Sequence, residues 1–240
     1  NSLTQPGFNR MAQVARQYGL DGFAFFPQTS GRYLAYGYAE KANVPGFHLL
    51  NEITSGEWRI EKEKVVELAL KSPQSLRING KLVFTSYRSD AKPVEYWQEM
   101  LGEFRKQYGD QFIFIPDVGR WAGQSMGAWR EKYHANTVTA QDIKEIREYL
   151  RKWISATDGL YFAAAASFQN SDHTFDGDAY RNFLVPVMQS VLAEPQFKNK
   201  YFGLSAVVGH ENNTRLGVTL SSDATKSLRQ SMDAALDAQP

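Results

Sequence analysis

Apolar, strand-like runs alternate with amphipathic, helix-like stretches along the chain. The runs cover residues 21–27, 46–51, 81–87, 112–118, 158–167 and 200–208. Repeated strand–helix units of this kind predict an α/β fold, with a parallel sheet covered by helices. Because chemistry in such folds collects where the strands end, the polar residues directly after each run are the first place to look for a site.

The helices are predicted from apolar positions spaced three or four residues apart. The clearest helix, residues 94–108, has five large side chains on one face: Val94, Trp97, Leu101, Phe104 and Tyr108. A second, residues 141–156, has a similar stripe: Ile143, Ile146, Tyr149, Leu150 and Trp153. Weaker patterns predict helices at 34–43 and 60–71, and Pro186 should bend the helix that contains it.

The order of the elements predicts a barrel. The pattern begins and ends with a helix, so we expect one strand before residue 1 and another after residue 240. Together with the six runs these make eight strands, which predicts a single domain, residues 1–240, with six of the eight strands of a (β/α)8 TIM barrel. A doubly wound open sheet is the alternative. Its phosphate-binding G-x-G-x-x-G turn is missing after the first run, where residues 27–32 read PQTSGR.

Composition excludes several classes of function. The chain has 27 basic and 26 acidic residues and a net charge of +1, which gives no electrostatic footprint for nucleic acid. It has no cysteine, which excludes disulfides, cysteine-bound zinc and thiol nucleophiles. No apolar run is long enough to span a bilayer, and no signal peptide begins the chain. We expect no metal or organic cofactor and no membrane insertion, and the sequence leaves the oligomeric state open.

The residues that follow the runs mix aromatic, amide, acidic and arginine side chains, which is typical of sugar recognition. Aromatic rings stack on a pyranose, polar groups bind its hydroxyls, and two carboxylates supply the acid and base that cleave a glycosidic bond. The candidate catalytic residues are Asp117, Glu211 and Glu52. The candidate substrate-binding residues are Gln28, Arg32, Tyr87, Arg88, Asp90, Trp121, Gln169 and His210.

Several of these residues have a simpler alternative role. Glu52 can pair with Arg59 or Lys62, Trp121 can be packing for the long insertion at 119–139, and the segment 210–211 can be a solvated loop. Asp117 ends an unusually apolar strand, which argues against an exposed ion pair.

Other acidic residues are expected to be structural. Asp21 and Asp158 precede their strands, so they are expected to be turn or stability residues. Asp172, His173, Asp176 and Asp178 do not have the spacing of a known metal motif. Capping of the next helix by Asp176 or Asp178 is the favoured interpretation.

The order of the segments resembles glycoside hydrolase family 71, the endo-α-1,3-glucanases. The segments that carry the resemblance are DGFAFFP, GFHLLNE, INGKLVFTSY, FIFIPD, DGLYF and FDGDAYRNFLVPVMQ. It is collinear from about residue 7 to residue 208. The family 99 endo-α-mannosidases share the general plan.

The resemblance implies a barrel that acts on a polysaccharide or glycan. It also implies that the acidic pair lies near the last barrel strand, outside these residues. Glu52, Asp117 and Glu211 would then be supporting groups, with Asp117 closest to a family position. The chain departs from the family at Asn51-Glu52, where the usual pair is Phe-Asp.

Three functions follow in order of preference. The first is a glycoside hydrolase, with an α-glucan as the favoured substrate, and the resemblance implies a secreted, periplasmic or cell-surface location. The second is a non-catalytic carbohydrate-binding barrel of a glycan-uptake system. The third is a hydrolase of another class, such as a metal-dependent deacetylase that uses His48, His173 or His210.

Overall fold

The computed structural model describes most of the chain from residue 75 to residue 204, together with short segments nearer the N-terminus and residue 233. The described residues are 10, 13–14, 16–19, 33–34, 48–49, 66–67, 69–73, 75–86, 89–162, 168, 175–204 and 233. Two compact units are present: unit 1 is Asn1–Asp117 with Ala156–Gly159, and unit 2 is Val118–Ser155 with Leu160–Pro240. The single barrel domain predicted over residues 1–240 stays a prediction.

Unit 1 contains two small sheets. In the first, β1 (Tyr33–Leu34) pairs in parallel with β2 (His48–Leu49). The helix predicted from residue 34 is therefore wrong at Leu34, because backbone pairing with β2 fixes that residue in an extended conformation. Residues 66–67 and 69–71 are helical, as the pattern over 60–71 predicts.

The second sheet of unit 1 has the order β3–β4–β5. β3 (Arg77–Ile78) and β4 (Lys81–Phe84) form an antiparallel hairpin. Its two turn residues, Asn79 and Gly80, both have positive φ, at 51° and 79°, as a tight Asn-Gly turn requires. β4 then pairs in parallel with β5 (Phe112–Phe114), with Leu82 opposite Phe112 and Phe84 opposite Phe114.

Helix α1 (Val94–Tyr108) connects β4 to β5, so the three elements form a β-α-β unit. Its buried face consists of Val94, Tyr96, Trp97, Met100, Leu101 and Phe104. The rings of this face pack on the two strands: Phe104 lies 5.9 Å from Phe84, and Trp97 stacks 5.5 Å from Phe114. Burial of these large side chains provides the main apolar stabilisation of the unit. The helix ends at Gly109, where φ is 70°.

The insertion at 119–139 in unit 2 is a hairpin followed by a helix. β6 (Arg120–Trp121) and β7 (Gln124–Ser125) are antiparallel, and helix α2 (Met126–His134) follows directly. The Ser125 side chain accepts a hydrogen bond from the backbone N–H of Ala128 and so caps α2. The sequence indicates only an insertion here, because strands of two residues leave no periodic signal and α2 has just two buried residues, Met126 and Trp129.

Helix α3 (Ala140–Ala156) begins one residue before the predicted start. Its buried residues are Ile146, Leu150, Trp153 and Ile154. A reciprocal capping box fixes the start: the Thr139 backbone N–H donates to the Asp142 carboxylate at 2.8 Å, and the Asp142 N–H donates to the Thr139 hydroxyl at 3.1 Å. Arg151 of the same helix pairs with Glu194 at 2.7 Å.

Strands β8 (Gly159–Phe162) and β9 (Tyr201–Leu204) are hydrogen-bonded neighbours and lie within predicted runs. The pair requires a glycine at position 203, because a Cβ there would lie 2.9 Å from the Tyr161 ring. Among the described residues the strands form short sheets, and no closed barrel is present. The fold shown is therefore mixed α/β.

A helical segment with a π turn lies between β8 and β9. It consists of α4 (Gly177–Ala179), the π turn Tyr180–Leu184 and α5 (Val185–Leu192). The sequence predicts a bend at Pro186, and the structure has a π turn that ends at Leu184, two residues before it. Proline lacks the N–H that the regular helix would use, and it is tolerated in the first turn of α5. In the part of the chain that the structure describes, no helix has the length and apolar character to cross a membrane.

Asp158 has the stability role predicted for it. Its carboxylate accepts from the Phe114 N–H at 2.8 Å and from Arg105 Nη2 at 3.2 Å. Replacement by alanine should lower the free energy of unfolding by about 1.5–3 kcal/mol, because the hydrogen bonds to a charged acceptor at the start of the strand are lost. Urea unfolding of the purified protein measures the change. The matched control is Asp110→Ala, which removes an exposed partner of Lys81 and should change little. An equal loss in both variants would contradict the assignment.

The capping box of α3 predicts a pH dependence of stability. Hydrogen bonds from Lys132 and Thr139 lower the pKa of Asp142 from 3.8 to about 2. Because the pKa is lower in the folded state, the stabilisation is complete above pH 4 and is lost as the pH falls towards 2. The stability difference between wild type and Asp142→Asn should therefore shrink over this interval, as measured by urea unfolding at several pH values. A difference that stays constant down to pH 2 would count against the capping box.

Candidate functional site

The candidate site lies in unit 1, at the carboxyl edge of the parallel pair β4–β5. Backbone pairing continues past the ends of both strands: the Ile115 N–H donates to the Phe84 carbonyl and the Asp117 N–H to the Ser86 carbonyl, both at 2.9 Å. The chain after β4 then returns to β5, because the Ser89 N–H donates to the Asp117 carbonyl at 2.8 Å. Ser86, Ser89 and Asp117 thus meet where parallel α/β folds place their sites.

Asp117 is almost completely buried at this edge, with 2% of its surface exposed. Ser86 and Ser89 are fully buried beside it. Removing a carboxylate from water is unfavourable unless polar groups compensate for it, so a residue of this kind is not an ordinary surface acid. Asp117 is therefore not part of an exposed ion pair, and its predicted catalytic role stays a prediction.

Ser86, Ser89 and Trp97 lie beside the Asp117 backbone; Trp97 was expected only as part of the apolar face of its helix, and neither serine was expected at the site. The Ser89 hydroxyl donates within the loop, lying 2.9 Å from both the carbonyl oxygen and the hydroxyl oxygen of Ser86. Trp97 Nε1 of α1 donates to the Ser89 carbonyl at 2.8 Å. The sequence contained one signal for this arrangement, the small polar residues directly after the apolar run 81–84.

Asp90 follows Ser89 in the short 3₁₀ helix Ser89–Ala91 and is half-buried. The structure therefore places one predicted substrate-binding residue on the loop that contacts the Asp117 backbone. Its predicted contact with substrate stays a prediction.

Trp121 is placed in the core of unit 2. Its side chain is fully buried, its ring lies 5.8 Å from that of Phe162, and its carbonyl accepts a hydrogen bond from Trp129 Nε1 at 3.0 Å. An indole with no exposed face has no surface on which a sugar can stack. The contacts of Trp121 are those of a packing residue, which is the alternative that the sequence left open.

The remaining predicted site residues lie outside the described part of the chain, so their positions relative to Asp117 stay predictions. They are Glu52, Glu211, Gln28, Arg32, Tyr87, Arg88, Gln169 and His210.

Asp176 caps a helix in unit 2, as predicted. The carboxylate accepts from the Ala179 N–H at 3.1 Å and also contacts Arg130, at 3.1 Å, and His134. Its side chain is 3% exposed, so these partners compensate for burial of the charge. Among the described residues no group of three or more acidic or histidine side chains is placed to hold a metal ion.

Two tyrosines near this cap have raised pKa values. Burial is the first cause for Tyr133, whose pKa is raised further by a hydrogen bond to Asp178. Burial likewise raises the pKa of the fully buried Tyr180 phenol well above its usual range. Both phenols are therefore protonated at neutral pH, which does not suit them to act as general bases.

The chain is similar to two solved structures of a GH99 endo-alpha-mannosidase from Bacteroides thetaiotaomicron, one of them in complex with BIS-TRIS-Propane. The first alignment has 18% identity and a TM-score of 0.49 and covers 80% of this chain and 52% of the other. The second has 15% identity and a TM-score of 0.48 and covers 86% and 49%. No protein-family model and no curated protein matches the sequence.

The family 99-like resemblance noted from the sequence is thus confirmed as a likeness between structures. This chain spans about half the length of the solved structures it resembles. A likeness with a TM-score below 0.5 does not assign a fold or an activity, so both have to be argued from this chain's own residues.

The geometry at Asp176 predicts a capping role and no metal requirement. Asp176→Ala should lower the free energy of unfolding by about 1–2 kcal/mol, because the N-cap hydrogen bond and the contacts with Arg130 and His134 are lost. Asp178→Ala is the matched control and should have a smaller effect, since its hydrogen bond with Asn182 is exposed and its other partner, Tyr133, is only half-buried. Thermal unfolding with and without a chelator measures both. A lower melting temperature with chelator would favour the metal cluster instead.

Proposed function

We propose that this chain belongs to a glycoside hydrolase that acts on a polysaccharide or glycan, with an α-glucan as the favoured substrate. The observation that carries the proposal is the buried carboxylate of Asp117 at the carboxyl edge of β4–β5. Parallel α/β folds place their reacting groups at this edge, and carboxylates are the groups that most glycosidases use.

The proposed scaffold is a (β/α)8 barrel. The unit β4–α1–β5 supports it, because a helix that connects two adjacent parallel strands is the repeating unit of such a barrel. The antiparallel β3 lies on the other side of β4 in the same small sheet. A barrel requires further parallel strands beside β4 and β5, and their presence is part of the proposal.

In the proposed reaction Asp117 is one of two carboxylates that flank the scissile bond. Glu211 or Glu52 is the proposed partner, or an acid on a closing strand, where the resemblance to family 71 puts the pair. The separation of the two carboxyl groups determines the stereochemistry: about 5–5.5 Å gives retention, and roughly 6.5–9.5 Å gives inversion.

Substrate contacts are proposed for the residues that follow the strands. Tyr87 and Arg88 lie between Ser86 and Asp90 in the sequence. Gln28, Arg32, Gln169 and His210 follow other predicted strands. Trp121 is left out of this set because its indole is buried. A secreted, periplasmic or cell-surface location is part of the proposal, on the ground of the resemblance to family 71.

The test is hydrolysis of α-1,3-glucan and α-mannan by the full-length protein and by its Asp117→Asn variant. The substitution keeps the size of the side chain and removes its charge, so the rate should fall by about 10²–10⁴-fold. Asp110→Asn is the matched control, because it changes an exposed carboxylate of the same unit and should leave the rate unchanged.

Other results would contradict the role of Asp117 or favour one of the two alternative functions. An unchanged rate in Asp117→Asn would remove this residue from the catalytic groups. Binding of glucan without hydrolysis by the wild-type protein would favour the carbohydrate-binding barrel, and stoichiometric zinc in the purified protein would favour the deacetylase.

A further inference from the structure

We propose that Ser89 and Trp97 are positioning residues that fix the main chain of Asp117, and we name this pair the Ser89–Trp97 clamp. The inference rests on the proposed function, in which Asp117 contacts the substrate. Neither residue of the clamp is expected to contact substrate itself, since both are fully buried.

Both backbone polar groups of Asp117 are hydrogen-bonded to residues that follow β4. Its N–H donates to the Ser86 carbonyl at 2.9 Å, and its carbonyl accepts from the Ser89 N–H at 2.8 Å. β5 ends at Phe114, so these two hydrogen bonds fix Asp117 beyond the end of the strand. The position of the carboxylate therefore depends on where the loop lies.

Ser89 contacts both Asp117 and Ser86. Its N–H reaches Asp117, and its hydroxyl lies 2.9 Å from both oxygens of Ser86. These contacts hold Ser89 in a fixed position relative to Ser86. A side chain without the hydroxyl would leave the Ser86 groups without this buried donor.

Trp97 connects Ser89 to the apolar core of unit 1. Its indole N–H donates to the Ser89 carbonyl, and its ring stacks on Phe114, three residues before Asp117. The same side chain therefore contacts the loop on one side and the strand that leads to Asp117 on the other. Its ring also packs edge-on against Tyr96, which leaves the indole little room to move.

The functional consequence follows from the precision that catalysis requires. A displacement of about 1 Å at a reacting group can reduce a rate by about 10²-fold. Phenylalanine at position 97 keeps an aromatic ring against Phe114 but removes the hydrogen bond to Ser89, so the loop and Asp117 lose their fixed position. We expect the Trp97→Phe variant of the full-length protein to lose at least about 10-fold in kcat with little change in KM.

Trp129→Phe in unit 2 is a closely matched control. Trp129 is also fully buried, and its Nε1 also donates to the carbonyl of the residue eight positions earlier, Trp121, at 3.0 Å. The same substitution therefore removes the same kind of hydrogen bond from the same kind of environment. It should lower the melting temperature by a similar amount and leave kcat unchanged.

The experiment combines kinetics on α-1,3-glucan and α-mannan with hydrogen exchange, followed by mass spectrometry of peptides that cover residues 85–92 and 114–118. In Trp97→Phe both peptides should exchange faster, whereas in Trp129→Phe they should exchange as in wild type. Ser89→Ala should reproduce the kinetic and exchange effects of Trp97→Phe, and Ser89→Thr, which keeps the hydroxyl, should restore part of the activity.

The two readouts separate failure of the clamp from failure of the proposed function. Equal losses of kcat in Trp97→Phe and Trp129→Phe, or no loss in Trp97→Phe, would overturn the clamp. If the wild-type protein hydrolyses no glycan, the proposed function fails, and hydrogen exchange alone decides the structural role. Faster exchange confined to Trp97→Phe then supports the clamp, and unchanged exchange overturns it.

Discussion

The parallel pairing of β4 with β5 is the interaction on which the candidate site depends. The pairing aligns Phe84 with Phe114 and places their ring centroids 4.9 Å apart, tilted by 39°, and α1 covers them with Trp97 and Phe104. The same ladder continues to Asp117 and fixes which side chains meet at its end. A shift of register by one residue would send the side chains of β5 to the opposite face, so the apolar core and the site are set together.

Two aspartates of unit 1 lie near the carboxyl end of β5. Asp158 binds the Phe114 N–H and Arg105 from the segment that leads into β8, which suits a stabilising role. Asp117 comes three residues after Phe114, the last residue of β5, and is almost fully buried. The two aspartates thus have different environments near the same strand end, because Asp158 binds the backbone of β5 and Arg105, whereas Asp117 lies beside the buried serines that follow β4.

Much of the local structure was predictable from the residues. The helix over 94–108, the Asn-Gly turn before β4, the strands after it and the Asp176 cap all follow from local periodicity or capping chemistry, which act within a few residues. The hairpin β6–β7 and the strand at Leu34 were not predictable in the same way. The pairing of such short strands depends on neighbouring segments, and a pattern of two residues carries no information about those segments.

Within the described residues, the sequence by itself determined the strands β4 and β5, the helix between them and the polar groups that follow them, because hydrophobic periodicity and turn chemistry are local properties. Only the tertiary structure decided which of those groups are brought together and which are buried. It placed Asp117 beside Ser86 and Ser89, and it placed Trp121 in the core against Phe162. The physical reason is that burial and hydrogen-bond partners depend on strand register and on helix packing between segments far apart in the sequence, which no local pattern encodes.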